Sequence, residues 1–100
     1  MRETKNRFVY QRMTAQEFQE ALDALGWVPN TFAGMFGAEP RRVLQYLDPD
    51  SGHLIPMWVP VALHVLLAVP GALPEARNEI DRRIVADKKH ERWERLHGSN

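Results

Sequence analysis

The stretch Pro29–Tyr46, PNTFAGMFGAEPRRVLQY, decides the fold of this 100-residue chain. We interpret it as two short helices joined by a tight turn. Gly37 supplies a residue that adopts a positive φ without steric cost, so the chain can reverse direction there. Pro40 suits the first position of the second helix, because the N–H that it lacks would have no partner there. The small Ala33, the glycine four positions later and the aliphatic Val43 form the pattern of a helix-turn-helix unit.

The second helix of this stretch is predicted to have an inward and an outward face. Val43 and Tyr46 are three residues apart, so both lie on one side of a helix and are expected to face the core. The other positions of the helix are left to point away from the core, and they carry Arg41, Arg42, Leu44 and Gln45.

The run from Gly26 to Tyr46, GWVPNTFAGMFGAEPRRVLQY, resembles the helix-turn-helix of the phage Cro/repressor class. It is most similar to short prophage-type regulators, including those that accompany anti-CRISPR genes. As in such proteins, a polar loop follows at Asp48–His53, and a proline-led apolar segment begins at Ile55. The resemblance covers roughly residues 13–73. It implies a DNA-binding regulator whose second helix enters the major groove.

A helix signal precedes this unit. Thr14 and Glu17 form a capping box, in which Thr14 is the N-cap and Glu17 reaches back to its backbone. Met13 and Phe18 occupy the positions of a hydrophobic staple. Apolar residues then continue with helical spacing at Phe18, Ala21, Leu22 and Leu25. We predict a core helix over residues 14–25, ended by the glycine that follows.

The stretch Leu54–Leu73 contains no formally charged residue, which raises the question of a membrane span. Prolines at 56, 60 and 70 leave only residues 60–69 as uninterrupted helix, too short to cross ~30 Å of hydrocarbon at ~1.5 Å per residue. We therefore predict no membrane span but a bundle helix, with core positions at Leu63, Leu66 and Leu67. Its other apolar side chains are expected to be covered by a partner subunit, namely Trp58, Val61 and Val65.

The segment after a predicted break at residues 70–74 has the pattern of a charged helix, from Glu75 to about Leu96. A sparse apolar stripe runs along it at Ala76, Ile80 and Ile84. Such a stripe suits a helix that docks by its first half and projects by its second. Trp93 lies in the second half, and we expect it to form a dimer contact.

These patterns predict an all-α fold, a small helical bundle of about five helices that contains a helix-turn-helix and a charged C-terminal helix. Residues 1–12 form a basic N-terminal arm, residues 13–73 the helix-turn-helix domain, and residues 74–100 the charged helix, a candidate dimerisation element. A length of 100 residues with 44% apolar composition suits one core. Within the arm, residues 8–10 are expected to form a short strand, to pack on a partner or to fray.

Composition limits the cell compartment and the partners. The chain has no cysteine, which excludes disulfides and thiolate zinc sites and fits a reducing cytoplasm. The amino terminus lacks the apolar core of a secretory signal, so we expect a cytoplasmic protein. The formal net charge is zero, whereas DNA-binding domains usually carry a basic surplus. Residues 1–12 nevertheless hold four basic side chains against one acidic, and the only basic residues of 13–74 are Arg41 and Arg42.

No catalytic constellation is evident in the sequence. The histidines at 53, 64, 90 and 97 share no metal-ligand spacing with acidic residues, and there is no glycine-rich phosphate loop or hydrolase-type serine motif. The acidic loop at residues 48–52 lacks the later glutamate of a calcium-binding loop and is expected to be a plain turn. We predict a protein that is not an enzyme and has no cofactor or metal.

The first functional hypothesis is a sequence-specific, DNA-binding transcriptional regulator that acts as a homodimer on double-stranded DNA. Arg41 is expected to bind guanine, Gln45 adenine and Leu44 a thymine methyl group. Phosphates would be bound by a wider set, which comprises Asn30, Thr31 and Arg42 together with the arm residues Arg2, Lys5, Arg7 and Arg12.

The second hypothesis is a helical protein–protein interaction module, anti-activator or antitoxin-like, that keeps the helix-turn-helix shape without binding DNA. Three features favour it. The net charge is zero, the helix over residues 57–69 is apolar on most faces, and Pro29 stands where the resembled family usually has a polar residue that contacts phosphate.

Overall fold

The computed structural model describes residues 7–86. Within this range the chain forms five α-helices and no strand. The helices are α1 (Ala15–Leu25), α2 (Pro29–Phe36), α3 (Pro40–Leu47), α4 (Trp58–Ala68) and α5 (Ala72–Arg83). This confirms the predicted all-α bundle of about five helices. The arm strand considered at residues 8–10 is not formed.

α1 begins and ends at the residues that its local chemistry predicts. The Thr14 hydroxyl accepts a hydrogen bond from the Glu17 N–H at 3.0 Å, and Glu17 Oε1 accepts one from the Thr14 N–H at 2.9 Å. Both halves of the capping box are therefore present. Gly26 ends the helix in the left-handed region, with φ at 72°. The predicted helix over residues 14–25 is confirmed.

The core is a cluster of nine buried apolar side chains to which α1 to α4 and the connecting segments contribute. They are Phe18, Leu22, Trp27, Phe32, Ala33, Val43, Ile55, Val59 and Leu63. α1 packs against α3 and α4, α2 packs against α3 and α5, and α4 packs against α5. The core lies behind α2 and α3 and leaves the outer side of α3 uncovered among the described helices.

α4 lies within the apolar helix given as residues 57–69 and starts two residues before the uninterrupted stretch predicted from residue 60, so that Pro60 lies in its first turn. The first N–H groups of a helix have no intrahelical partner, so a proline there removes no hydrogen bond. The predicted break at residues 70–74 is wrong in its extent for the same reason. The chain turns at Gly71, whose φ is 85°, and α5 already begins at Ala72 with Pro74 in its first turn. No helix among the described residues has both the length and the apolarity of a membrane span.

The prediction of Leu67 as a core residue is wrong, because its side chain is 45% exposed. The core stripe of α4 consists of Val59 and Leu63, with Leu66 partly buried beside them. Leu67 follows Leu63 by four residues and lies on the flank of the same stripe, where it borders an open cavity between the arm, α1 and α4 and so stays half-exposed.

α5 is shorter than the predicted helix from Glu75 to about Leu96. It ends at Arg83, and Ile84 is already extended, with φ at −73° and ψ at 120°. Ile84 and Val85 are β-branched and exposed, so neither helix propensity nor packing favours a further turn. Ile84 therefore does not extend the apolar stripe of Ala76 and Ile80. Trp93 lies outside the described residues.

Candidate nucleic-acid interface

The α2–α3 unit has the tight turn that its sequence predicts. Gly37 adopts φ 67°, and the N–H groups of Gly37 and Ala38 both donate to the Ala33 carbonyl oxygen. In the described part of the chain, no heavy atom beyond its neighbours lies within 4 Å of the position that a Cβ on Gly37 would occupy. The glycine is therefore required by its backbone conformation and not by lack of space.

The inner face of α3 fixes the orientation of the helix. Val43 is fully buried, and Tyr46 and Leu47 pack against the core cluster. The Tyr46 ring meets the Phe18 ring of α1 edge to face, with centroids 6.0 Å apart. The inward positions predicted for Val43 and Tyr46 are confirmed.

The outer face of α3 carries the three side chains predicted to contact bases. Arg41 is exposed, Gln45 is partly buried one turn later, and Leu44 is 57% exposed beside them. Residues 41 and 45 lie almost directly opposite the buried stripe, since each residue turns a helix by about 100°. The structure therefore brings these side chains together on one outward surface.

The two arginines of α3 have no competing carboxylate partner among the described residues. In residues 7–86 the ion pairs are those of Glu79 with Arg82 and Arg83, all on α5. Arg41 and Arg42 also form no side-chain hydrogen bond with another described residue. The N-cap of α3, Glu39, makes no side-chain capping bond, so the first N–H groups of this helix also lack a side-chain acceptor.

The start of α2 presents the other pair of candidate phosphate ligands. Asn30 is exposed and Thr31 is half-buried in the first turn, after Pro29 at the first helical position. The N-cap, Val28, makes no side-chain capping bond. Pro29 therefore costs α2 no hydrogen bond. The backbone N–H of Asn30 and the side chains of Asn30 and Thr31 lie at the N-terminus of the helix, where they can contact an anion.

The arm is fixed at its end nearest α1. Arg12 Nη1 donates a hydrogen bond to the Ile55 carbonyl oxygen at 3.2 Å, which ties the arm to the segment before α4. Further out, the Arg7 guanidinium lies over the Phe8 ring, 5.2 Å from its centroid. Residues 8–10 are exposed. The candidate phosphate ligands Arg2 and Lys5 lie outside the described residues.

A second surface lies on α4. Trp58, Val61 and Val65 are all exposed and recur at i, i+3 and i+7, so they share one face of the helix. The Trp58 ring stacks on Phe32, with centroids 6.1 Å apart, and forms a T-shaped pair with Phe36, with centroids 5.3 Å apart. The three described residues of the predicted dimer interface are thus adjacent.

Two features escaped the sequence interpretation. Ser51 Oγ donates to the Gln45 carbonyl oxygen at 2.6 Å and so closes the C-terminal end of α3. The loop is otherwise the predicted turn, in which Asp48 Oδ1 accepts the Asp50 N–H at 2.9 Å. Leu54 is an apolar residue that is nevertheless exposed. Its sequence context, the uncharged stretch Leu54–Leu73, does not predict this exposure.

The described residues bring no metal-binding constellation together. His53 and His64 are both exposed, and residues 7–86 contain no group of three His, Asp or Glu side chains placed to hold a metal ion. His90 and His97 lie outside this range.

No protein-family model, curated protein or solved structure matches the chain.

Proposed function

We propose that this protein is a Cro/repressor-type transcriptional regulator that binds double-stranded DNA sequence-specifically as a homodimer. The observation that carries the proposal is the outer face of α3. It presents Arg41 and Arg42 without carboxylate partners among the described residues, while Val43 and Tyr46 anchor the opposite face in the core. A short, rigidly held helix with exposed arginines suits the major groove, which admits an α-helix.

The base contacts follow from the chemistry of the three outward side chains. The Arg41 guanidinium would donate two hydrogen bonds to guanine O6 and N7, and the Gln45 amide would pair with adenine N6 and N7. Leu44, exposed and apolar, would contact a thymine methyl group. These contacts discriminate bases, because each base pair presents a distinct pattern in the major groove.

The phosphate contacts flank α3. Arg42 lies beside the base-contacting face, and Asn30 and Thr31 stand at the start of α2, where the positive end of the helix dipole and the backbone N–H of Asn30 favour an anion. The arm would add Arg2, Lys5, Arg7 and Arg12. Arg12 retains most of its donors after its bond to Ile55, because a guanidinium has five N–H groups.

The dimer would form through the exposed face of α4, defined by Trp58, Val61 and Val65, with Trp93 as an additional contact. Trp58 also packs on α2 through Phe32, so an interface here would fix the two helix-turn-helix units relative to each other. A two-fold dimer would place its recognition helices about 34–36 Å apart, one turn of DNA.

The test is a salt titration of binding to a genomic fragment library, followed by sequencing of the bound fragments. Affinity should fall steeply between about 50 and 200 mM salt, and the bound fragments should share a palindromic motif. The double variant Arg41→Ala/Arg42→Ala should lose the motif. Its matched control, Arg82→Ala/Arg83→Ala, removes the same charge from α5 and should keep it. Absence of binding at 50 mM salt would refute the proposal.

A second candidate is a helical module that binds another protein, anti-activator or antitoxin-like. The exposed apolar face of α4 favours it, because a contiguous apolar patch on a small domain is typical of a protein interface. The salt titration separates the candidates. A protein that binds a partner through α4 and ignores DNA at low salt supports the second one.

A further inference from the structure

A cavity of about 450 Å³ lies between the end of the arm, α1 and α4. Its apolar side is formed by Ala21 of α1 and by Met57, Pro60, Leu63 and Leu67 of α4. Leu63 is only 1% exposed, so the floor of the cavity is the protein core. The volume falls within the range of roughly 300–1,000 Å³ that is typical of small-molecule sites.

The polar side of the cavity has more hydrogen-bond donors than acceptors. It is lined by Gln11, Arg12, Glu17 and His64. Arg12 has five N–H donors, of which one is bound to the Ile55 carbonyl oxygen. Among the described residues that line this side, Glu17 is the only carboxylate, and one of its oxygens already accepts the Thr14 N–H of the capping box. The ligand group that best fits this edge is therefore a strong acceptor.

We propose that this cavity binds a small amphipathic carboxylate, such as a medium-chain carboxylic acid. The carboxylate would accept hydrogen bonds from Arg12, whose fork of donors matches a carboxylate in shape and charge. The apolar chain would lie along α4, from Met57 toward Leu67. A ligand with one acidic group on an apolar chain would contact the polar side of the cavity and its apolar side at the same time.

Arg12 is held in place before a ligand arrives. Its bond to the Ile55 carbonyl oxygen is partly buried, and Ile55 itself belongs to the core. A guanidinium that is already oriented loses less conformational freedom when it binds an anion, and this favours affinity.

Ligand binding at this cavity goes beyond the proposed DNA-binding function and does not depend on it. No residue of α3 lines the cavity, and the lining residues come from the arm, α1 and the stretch 57–67. Arg12 is the one residue that the two proposals share, so ligand binding is tested on the full-length chain in the absence of DNA.

The test compares three probes of equal chain length with the full-length protein: octanoate, octan-1-ol and octylamine. Binding is followed by titration in two-dimensional ¹H–¹⁵N NMR spectra. Octanoate should saturate with a dissociation constant of about 0.1–1 mM and shift the signals of Arg12, Ala21 and His64. Octan-1-ol should bind at least fivefold more weakly, and octylamine more weakly still.

Two pairs of variants assign the binding to the cavity. Arg12→Gln should weaken octanoate binding about tenfold and leave octan-1-ol unchanged, because a charged hydrogen bond is removed. Arg12→Lys should restore most of the affinity, and Arg77→Gln, an exposed arginine of α5, should have no effect. Leu67→Asn should weaken both octanoate and octan-1-ol. Val69→Asn, an exposed position outside the cavity, should weaken neither.

Three outcomes would overturn the proposal. The first is no saturable binding of octanoate at 5 mM, with a thermal melting curve that shows a folded protein. The second is tighter binding of octylamine than of octanoate, which would make Glu17 the dominant charge. The third is octanoate binding that Arg12→Gln leaves unchanged. Each of these results can be obtained whether or not the protein binds DNA.

Discussion

The rings of Phe18 and Tyr46 meet edge to face, with centroids 6.0 Å apart and planes at 83°. Phe18 belongs to α1 and is fully buried, whereas Tyr46 lies in the last turn of α3. The same Phe18 ring meets Phe32 of α2 at 5.1 Å. One side chain of α1 therefore contacts both helices of the helix-turn-helix unit and sets the direction in which α3 presents its outer face.

This contact predicts the effect of removing the Tyr46 ring. Tyr46→Ala should lower the free energy of unfolding by about 1–3 kcal/mol, less than a fully buried aromatic residue would cost, because Tyr46 is only partly buried. The measurement is urea denaturation, with a shifted midpoint at constant slope. Leu44→Ala on the exposed face of the same helix is the control and should change the value by no more than about 0.5 kcal/mol. Equal losses of stability in the two variants would contradict this role of Tyr46.

Two glycines of the same unit should respond to alanine in opposite directions. Gly37→Ala should destabilise the protein by about 1–2 kcal/mol, because φ at 67° strains any residue with a Cβ. Gly34→Ala should stabilise it by roughly 0.5–1 kcal/mol, because Gly34 lies inside α2 in open space, where alanine is the better helix former. Thermal and urea unfolding measure both. A stabilising Gly37→Ala would rule out the left-handed turn.

The features that the sequence predicts correctly are those set by neighbouring residues. The capping box of Thr14 and Glu17 and the turn at Gly37 each need only a few consecutive residues, and both occur as expected. Membership of the core is harder to predict. Phe32 is buried because Phe18 of α1 and Trp58 of α4 meet its ring, and Trp27 is buried against Phe32 and Phe36 of α2; no local period marks these contacts.

The errors have their physical origin in the helix termini and in the open cavity beside α4. The expectation that proline breaks a helix fails at positions 60 and 74, because each lies in a first turn where no N–H is needed. The core prediction for Leu67 fails although Leu67 follows the buried Leu63 by four residues, because the helix sequence does not show that this side of α4 borders an open cavity at its last turn. The outward position of the candidate interface residues on α3 is predictable, because α3 is amphipathic. Once Val43 and Tyr46 pack into the core, the charged and polar residues on the opposite side must face outward.

The strongest prediction for DNA binding concerns Arg41. Arg41→Ala should weaken binding to the preferred site by about 1–3 kcal/mol and relax selectivity at one base position, since it removes a bidentate contact to guanine. Stability should not change, because the side chain is exposed. Selection from a randomised site library, with affinities by fluorescence anisotropy, measures both effects. Arg77→Ala, an exposed arginine on α5, is the control. Unchanged affinity and selectivity in Arg41→Ala would show that Arg41 does not contact the DNA bases.

The dimer can be tested with a pair of valines of nearly equal exposure. Val61, at 59%, lies on the exposed face of α4, and Val28, at 61%, precedes α2. Val61→Glu should convert the dimer to a monomer at tens of micromolar protein in sedimentation velocity, because a charge buried in an apolar interface has no partner. Val28→Glu should remain dimeric. A wild-type protein that sediments as a monomer would exclude this interface.

The basic arm should supply affinity without selectivity. Replacing Arg2, Lys5 and Arg7 with glutamine should weaken binding to specific and random DNA by similar factors, because neutralising a phosphate releases counterions at any sequence. The slope of log affinity against log salt should fall by about 0.9 for each phosphate that the arm no longer neutralises. Arg12 is kept in this variant, since its bond to the Ile55 carbonyl oxygen also holds the arm to the domain.

The matched control for the arm neutralises three basic residues at the other end of the chain, Lys88, Lys89 and Arg92. It removes the same formal charge, so a general electrostatic effect would weaken binding equally in both triple variants. A specific role of the arm predicts that only the first variant lowers the salt slope, while circular dichroism shows the same helix content in both. If the two variants behave alike, the arm binds no phosphates of its own, and the affinity must come from Arg41, Arg42 and the start of α2.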